Sequence, residues 1–297
     1  MSYIIGSFNI QNFNLNDTYR DRNSNKRDFY NIAGIILEEK YDIVALQEVM
    51  KKEAVDELIR IINRKSFMQK WNCYCKIPPL NGNRKKGEEP LGFAFLWNTH
   101  KFNLAKDTDG NLAEPKILKK YSGKIKRTPY YARFTPTNLP KVEIRLINIH
   151  LCSSGNGIEK QRDEFNLVTN QIYDAVECDA PGTNMDVYSV VLGDYNLCLT
   201  KSPKIKYDKS DFYITQDKPT TINGHGKVPH DGYTQNDYDH FSYNGKVKAY
   251  VTLSDRVDAV NRYVKINSEE YKNIFDQYYH TISDHVPIKL EINLKGN

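Results

Sequence analysis

Four short segments carry side chains able to bind a metal or move a proton, and each closes or follows an apolar run: Ser7-Phe8-Asn9-Ile10, Leu46-Gln47-Glu48, Gly193-Asp194-Tyr195-Asn196 and Ser283-Asp284-His285. An apolar run that ends this way marks a buried strand emerging into solvent, the usual place for chemistry on a rigid scaffold. Glu48, at the exit of the run Asp42 to Val49, is the leading candidate metal ligand: a carboxylate suits a hard divalent cation and has little structural use at a strand end. Asn9 can offer its amide oxygen to the same ion or orient Glu48. Asp194 and Asn196 are spaced i, i+2, which in an extended segment points both side chains to one side. There the carboxylate can take a proton from an attacking water while the amide holds a phosphate oxygen or the metal. An Asx-turn after Gly193 is compatible with that role. Together these groups can hold a divalent metal and cut a phosphate ester.

Two further segments lie between the anchors, Asn148-Ile149-His150-Leu151 and Tyr238-Asp239-His240-Phe241. Any one tetrapeptide arises often by chance. All six, in this order at strand ends, resemble the endonuclease/exonuclease/phosphatase superfamily, whose best-known member is deoxyribonuclease I. The resemblance runs from Tyr3 to about Ile292. It implies Mg2+ as cofactor, with Mn2+ or Ca2+ as alternatives, held by Glu48 with Asn9 and Asp284 close by. It implies Asp239 as the carboxylate partner of His285. His150 and His285 would then face phosphate oxygens as cations or act as acid and base near neutrality. One departure stands out. In deoxyribonuclease I a glutamate pairs with the histidine equivalent to His150, whereas the matching strand here, Leu91 to Trp97, aligns Leu91 or Gly92 at that place, with Glu88 and Glu89 nearby but out of phase.

The superfamily cuts DNA, RNA, abasic sites, inositol phosphates and sphingomyelin with much the same core, so the fold alone does not name a substrate. His150 stands where the abasic branch typically carries Tyr. The stretch Arg127-Thr128-Pro129-Tyr130 is similar to the Arg-x-Pro strand segment of deoxyribonuclease I-like nucleases, in which the arginine meets a DNA phosphate. It directly follows a run from Lys116 without an acidic residue, and Lys119, Lys120, Lys124 and Lys126 in that run can track a phosphate backbone. A solvated loop in a Lys-rich protein is the bland alternative. The pairing favours a nuclease acting on DNA over a phosphomonoesterase or a lipid phosphodiesterase. The intact set of candidate residues disfavours a catalytically inactive binding protein.

The elements that must position these groups follow from periodicity. Strands are expected at Tyr3 to Ile10, Asp42 to Val49, Trp71 to Ile77, Leu91 to Trp97, Tyr130 to Phe134, Val142 to Leu151 and Val187 to Leu192, then near His240 to Tyr243, Val257 to Val260 and Val286 to Leu294. Helices are expected at Lys26 to Glu39, Lys51 to Asn63, Ile158 to Val176 and Ser268 to Tyr278. Short strands in series suggest two mixed, mainly antiparallel sheets packed face to face. The resemblance implies the four-layer α-β-β-α sandwich of deoxyribonuclease I.

At 297 residues, with no linker-like or repetitive tract, the chain reads as one large α/β domain over 1–297, with an irregular surface insertion at about 199–237 whose His225 and His230 are loop histidines. A net charge of +5 permits a polyanionic substrate without demanding one. The five cysteines are an odd number, and Cys73-Tyr74-Cys75 has no second Cys or His pair to complete a zinc site, so reduced thiols are expected. No apolar run has the length of a membrane span and Met1 to Arg20 lacks a signal-like leader. A cytoplasmic monomer is the expectation, or a secreted one if an export signal has been removed.

Overall fold

The computed structural model describes residues 1–15, 27–78, 91–153, 155, 157–179, 185–199, 211–222, 233–234, 236–265 and 271–295. Glu88, Glu89, His225 and His230 lie outside these. The chain opens with β1 (Ser2–Phe13), α1 (Phe29–Glu38), β2 (Ile43–Val49), α2 (Lys52–Lys65), β3 (Trp71–Lys76), β4 (Gly92–Asn98), β5 (Phe102–Leu104) and the short β6 (Lys116–Ile117). It continues through β7 (Tyr130–Pro136) and β8 (Val142–His150) to α3 (Ile158–Leu167), which passes by a π-helical turn at Val168–Ile172 into α4 (Tyr173–Glu177). Then come β9 (Asp186–Asp194), β10 (Phe212–Thr215), β11 (Asp239–Asn244), α5 (Gly245–Lys248), β12 (Val251–Arg256), α6 (Ala259–Tyr263), α7 (Ile274–Thr281) and β13 (Ile288–Asn293).

Among the described residues the strands form a six-stranded sheet, β12-β13-β1-β2-β4-β3, and a seven-stranded sheet, β10-β11-β9-β8-β7-β5, with β6 paired to β7. In each sheet one pair is parallel, β1 with β2 and β8 with β9, and the neighbours are antiparallel. The side chains of alternate residues meet between the sheets: Tyr3, Ile5, Ala45, Phe95, Leu146, Val190, Leu192, Phe241 and Leu290 share one buried cluster. The other alternation faces helices. Ile32, Ile36, Val55, Leu58 and Ile62 cover the first sheet, and Phe165, Val168 and Ile172 cover the second, which completes four layers, α-β-β-α.

The helices start and stop for local reasons. The Asp28 carboxylate accepts the Asn31 amide at 3.0 Å and caps α1, and Asn273 does the same for Phe275 and Asp276 at the start of α7. At the end of α4 the buried Arg145 guanidinium donates to the Val176 carbonyl while Glu143 pairs with both Arg145 and Arg133, so a buried ion network fastens helix to sheet.

Three elements differ from the sequence reading. The stretch about 199–237 is not irregular throughout: Phe212–Thr215 is the edge strand of the second sheet, with Phe212 buried against Tyr173. Its Lys- and Tyr-rich neighbours mask a strand only four residues long. The expected strand Val257 to Val260 is instead the connection Val257-Asp258 and the first residues of α6, because the strand itself, β12, is Val251–Arg256 and ends before it. The last helix begins at Ile274, where Asn273 caps it.

Candidate active site

Strand direction alone brings the candidate residues to one end of the sandwich. The parallel pairs carry Asn9 and Glu48, and His150 and Asp194, at or near their C-terminal ends. β11 and β13 run the other way beside them, so Asp239 begins β11 directly opposite Asp194, and Asp284 and His285 enter β13. The period of two then aims the side chains. In β8, β9 and β11 the residues facing the inter-sheet core are Ile144 and Leu146, Val190 and Leu192, and Phe241 and Tyr243. The same alternation continued gives His150, Asp194 and Asp239. The site is therefore the polar continuation of the core between the two sheets.

Glu48 breaks this rule, and the break is built into the backbone. Val44 and Leu46 face the helices, so strict alternation would send Glu48 the same way; instead Val49 takes that place. The register of β2 shifts between Gln47 and Val49 against β4, and Glu48 adopts φ +60°, a left-handed conformation that costs a non-glycine residue roughly 1–2 kcal/mol. Its carboxylate is held by the Asn12 amide at 2.9 Å and the Asn9 Nδ2 at 3.3 Å. Asn196, at φ +51° in the turn that follows β9, shares the left-handed conformation of Glu48, and Gly193, the next-to-last residue of β9, has a positive φ of +142°.

Four ionisable groups converge there. Asp194 Oδ2 accepts Asn9 Nδ2 at 3.0 Å and lies 3.5 Å from His150 Nε2 and 3.8 Å from His285 Nε2. His285 Nδ1 lies 2.7 Å from Asp239 Oδ2. His285 is pushed well above the ordinary histidine range: burial works against its charge, but Asp239, Asp194 and Asp284 together overcome it. His150 is driven well below that range, by burial first and then by the cations of Arg127, His285 and Lys126. Burial raises Asp194 to about 7, with His285 pulling the other way and Asp239 adding to the rise. The result is one cationic imidazole, one neutral imidazole and a carboxylate that titrates near neutrality. Nδ1 of His150 is buried with no hydrogen-bond partner among the described residues, which matches the absence of an aligned glutamate on β4.

Asn196 forms the Asx-turn expected as compatible with its role beside Asp194. Its backbone amide donates to Asp194 Oδ1 at 2.7 Å, the Asx-turn after Gly193, and its Nδ2 donates to the Leu151 carbonyl at 3.0 Å. Its carbonyl in turn accepts Gln161. Arg127 reaches the same loop, donating to the Leu151 carbonyl at 3.0 Å. Of the basic run, Arg127 and Lys126 act on His150, and Lys119, Lys120 and Lys124 are exposed on the turn that precedes them.

Several supporting residues have no role in the sequence reading. Gln47 donates to Asn148 Oδ1 at 2.8 Å, and Asn148 donates to the Leu46 carbonyl, a buried amide link between the sheets just beneath the site. The Ser283 hydroxyl bonds the Asn9 carbonyl and accepts the His285 amide, locking β13 to β1. Glu164 accepts the amides of Lys126 and Cys152, and Arg27 is clamped on the Gln11 carbonyl and carboxamide close to Glu48 and Asp284. Gln47, Asn148 and Ser283 sit inside the recognised motifs, where an amide or hydroxyl amid apolar neighbours was the available signal. Arg27 and Glu164 gave none, since both read as ordinary charges within the expected helices Lys26 to Glu39 and Ile158 to Val176.

A hard cation fits this donor set. Glu48 and Asp284 are oxygen donors near a common cation, Arg27, and Asp284 Oδ1 is buried without a hydrogen-bond partner, with His285 Nε2 4.0 Å away. Among the described residues no group of three or more His, Cys, Asp or Glu is arranged to hold a metal by itself. Asn9 points its nitrogen at Glu48 and Asp194, and its oxygen accepts the Gln11 amide, an arrangement that orients the carboxylates.

No protein-family model and no curated protein sequence matches the chain. Solved structures do. An endonuclease/exonuclease/phosphatase family protein from Bacteroides thetaiotaomicron superposes with a TM-score of 0.66 at 16% identity over 99% of both chains. A mannosyl-6-phosphatase from the same organism superposes at 0.65 and 15% identity over 98% of this chain and all of the other. D. rerio TDP2 complexed with a single-strand DNA product superposes at 0.60 and 15% identity over 99% of both. The chain therefore has the fold of the endonuclease/exonuclease/phosphatase superfamily, the deoxyribonuclease I-like sandwich.

Proposed function

We propose that the protein is a divalent-metal-dependent phosphoester hydrolase, and within that class a nuclease that hydrolyses DNA phosphodiesters by in-line attack of water. The observation that carries this reading is Asp194 Oδ2, within 4 Å of two imidazoles, one of them held by Asp239. Glu48 and Asp284 would hold the metal, Mg2+ by preference, which when bound neutralises charge on the phosphate oxygens. His285, kept protonated against Asp239, presents a cation and an N–H to the phosphoryl group. Asp194 takes the proton of the attacking water as its oxygen bonds to phosphorus and the ester oxygen opposite departs. Asn9 keeps Asp194 and Glu48 in place, and Asn196 with Arg127 holds the loop that carries them.

The basic run supports nucleic acid as the substrate, as does the likeness to TDP2 bound to a DNA product. The likeness to a mannosyl-6-phosphatase supports a second reading, a phosphomonoesterase on a small sugar phosphate. The two part on long-range charge. With Lys119, Lys120, Lys124 and Lys126 neutralised, a nuclease loses affinity for long DNA and its salt dependence flattens, since fewer counterions are released. A sugar phosphatase keeps its turnover and shows no plasmid nicking in either form. Nicking with the same salt slope in both proteins would remove the basic run from the substrate path.

A further inference from the structure

The end of the sandwich opposite the active site carries an exposed apolar tip set among cations. β3 runs parallel to β2, so the turn from α2 into β3 lies at the end where β2 begins, away from Glu48. In that turn Phe67 is 98% and Met68 84% exposed, next to each other in sequence and followed by Gln69 and Lys70. Among the described residues the chain offers no other adjacent pair of large apolar side chains so bare. The turn is ordered from within: the Ser66 hydroxyl donates to the Gln69 carbonyl, the Gln69 amide to the Ser66 carbonyl, and Asn63 brackets Trp71 through both its amide atoms. The tip is therefore held out on a closed turn.

Its surroundings are cationic. From Arg60 to Lys70 the sequence carries Arg60, Arg64, Lys65 and Lys70 and no acidic residue, and the adjoining β4–β5 turn adds His100 and Lys101, again without an acid from Asn98 to Lys106. The Thr99 amide and hydroxyl both donate to the Lys70 carbonyl, so the two turns form one surface. A shallow depression between them is lined by Asn63, Ser66, Gln69, Lys70 and His100 beside the Phe67-Met68 pair. Arg60 is engaged by Glu57 on the helix flank and the Lys65 ammonium by the Tyr30 carbonyl and ring on α1, which leaves Arg64, Lys70 and Lys101 as the cations nearest the tip, with Glu57 acting on Arg64 and Asp42 on Lys101 from behind.

We propose that this turn docks the protein reversibly on an anionic lipid surface, with Phe67 and Met68 entering the headgroup and acyl boundary and Arg64, Lys70 and Lys101 meeting acidic headgroups. Charge complementarity and the protruding shape favour this occupant: a bare pair on a tip suits insertion, whereas base stacking needs a row of rings along a groove, and Phe67 is the one ring from Ser66 to Lys70. Cations near such a surface each add roughly 1 kcal/mol of attraction, about a fivefold gain, which falls as salt rises. Docking here leaves the catalytic end facing solution, so the inference does not depend on the substrate assigned above.

The test is sedimentation with phosphatidylcholine vesicles containing about a third phosphatidylserine, against phosphatidylcholine alone, for wild type and the F67S/M68S variant. Both positions are exposed and outside the core, so the variant should unfold at the wild-type temperature. Wild type should sediment with the anionic vesicles, release as salt rises, and bind the neutral ones at least about tenfold more weakly, while the variant loses binding to both. Equal binding by variant and wild type, or none by wild type, overturns the proposal. So does a variant that keeps its vesicle binding but loses affinity for single-stranded DNA, which would assign the tip to nucleic acid instead.

Discussion

His285 Nδ1 lies 2.7 Å from Asp239 Oδ2, although 46 residues separate them in the chain. The contact exists because β11 and β13 both begin at the end where β1 and β9 finish. It fixes the ring and, with Asp194 and Asp284, holds its proton to higher pH. Since the folded value lies above the ordinary 6.5, this contact stabilises the fold fully below that pH and ceases to do so as pH rises through the raised value. Asp239→Asn keeps the shape and removes the charge. Turnover should fall by about a hundredfold or more, and the alkaline limb of its pH profile should move to lower pH. An unmoved alkaline limb would mean that His285 does not titrate in the reaction.

His150→Ala and His285→Ala should each lower turnover by about a hundredfold or more, and the double variant should lose far less than the product of the two, because both rings lie within 4 Å of the same Asp194 oxygen and would act in one transition state. Independent small losses in kcat would return them to the status of core histidines.

Gly193→Ala tests the backbone of the site apart from its chemistry. Gly193 holds φ +142°, and a Cβ there would overlap the Ile149 carbonyl oxygen on the neighbouring strand, where the two residues are in register. The ladder that aligns His150 with Asp194 would have to slip. Urea unfolding should show a loss of at least about 2 kcal/mol, with activity falling further than stability. Wild-type stability would show that the β8–β9 register tolerates the side chain.

Much of this arrangement was legible in the sequence because it follows a period of two. Strands whose inward residues are apolar and whose last inward residue is His, Asp or Asn announce both the sandwich and its polar end, and the expected strands at 42–49, 130–134 and 142–151 lie within a few residues of β2, β7 and β8. Asp239 and His285 were paired by resemblance and lie in contact. What the pattern conceals is any departure from regularity. Glu48 reaches the site only through a bulge and a left-handed backbone, neither of which has a residue signature there. Asn196 spends its amide on Leu151, a choice set by a loop 45 residues away. The short edge strand Phe212–Thr215 is too brief for periodicity to register, and the Val257 to Val260 run is apolar because it packs as the start of α6 rather than as a strand.

The central claim, a metal-assisted phosphodiesterase built around Glu48, is tested most directly by plasmid nicking with Mg2+ and with EDTA, in wild type and in Glu48→Gln. Gln keeps the shape and the Asn12 contact but removes the charge that attracts a hard ion. Wild type should nick with Mg2+ and stop in EDTA, and Glu48→Gln should be inactive in both while unfolding at the wild-type temperature. Nicking by Glu48→Gln at the wild-type rate, or undiminished nicking in EDTA, would contradict the account.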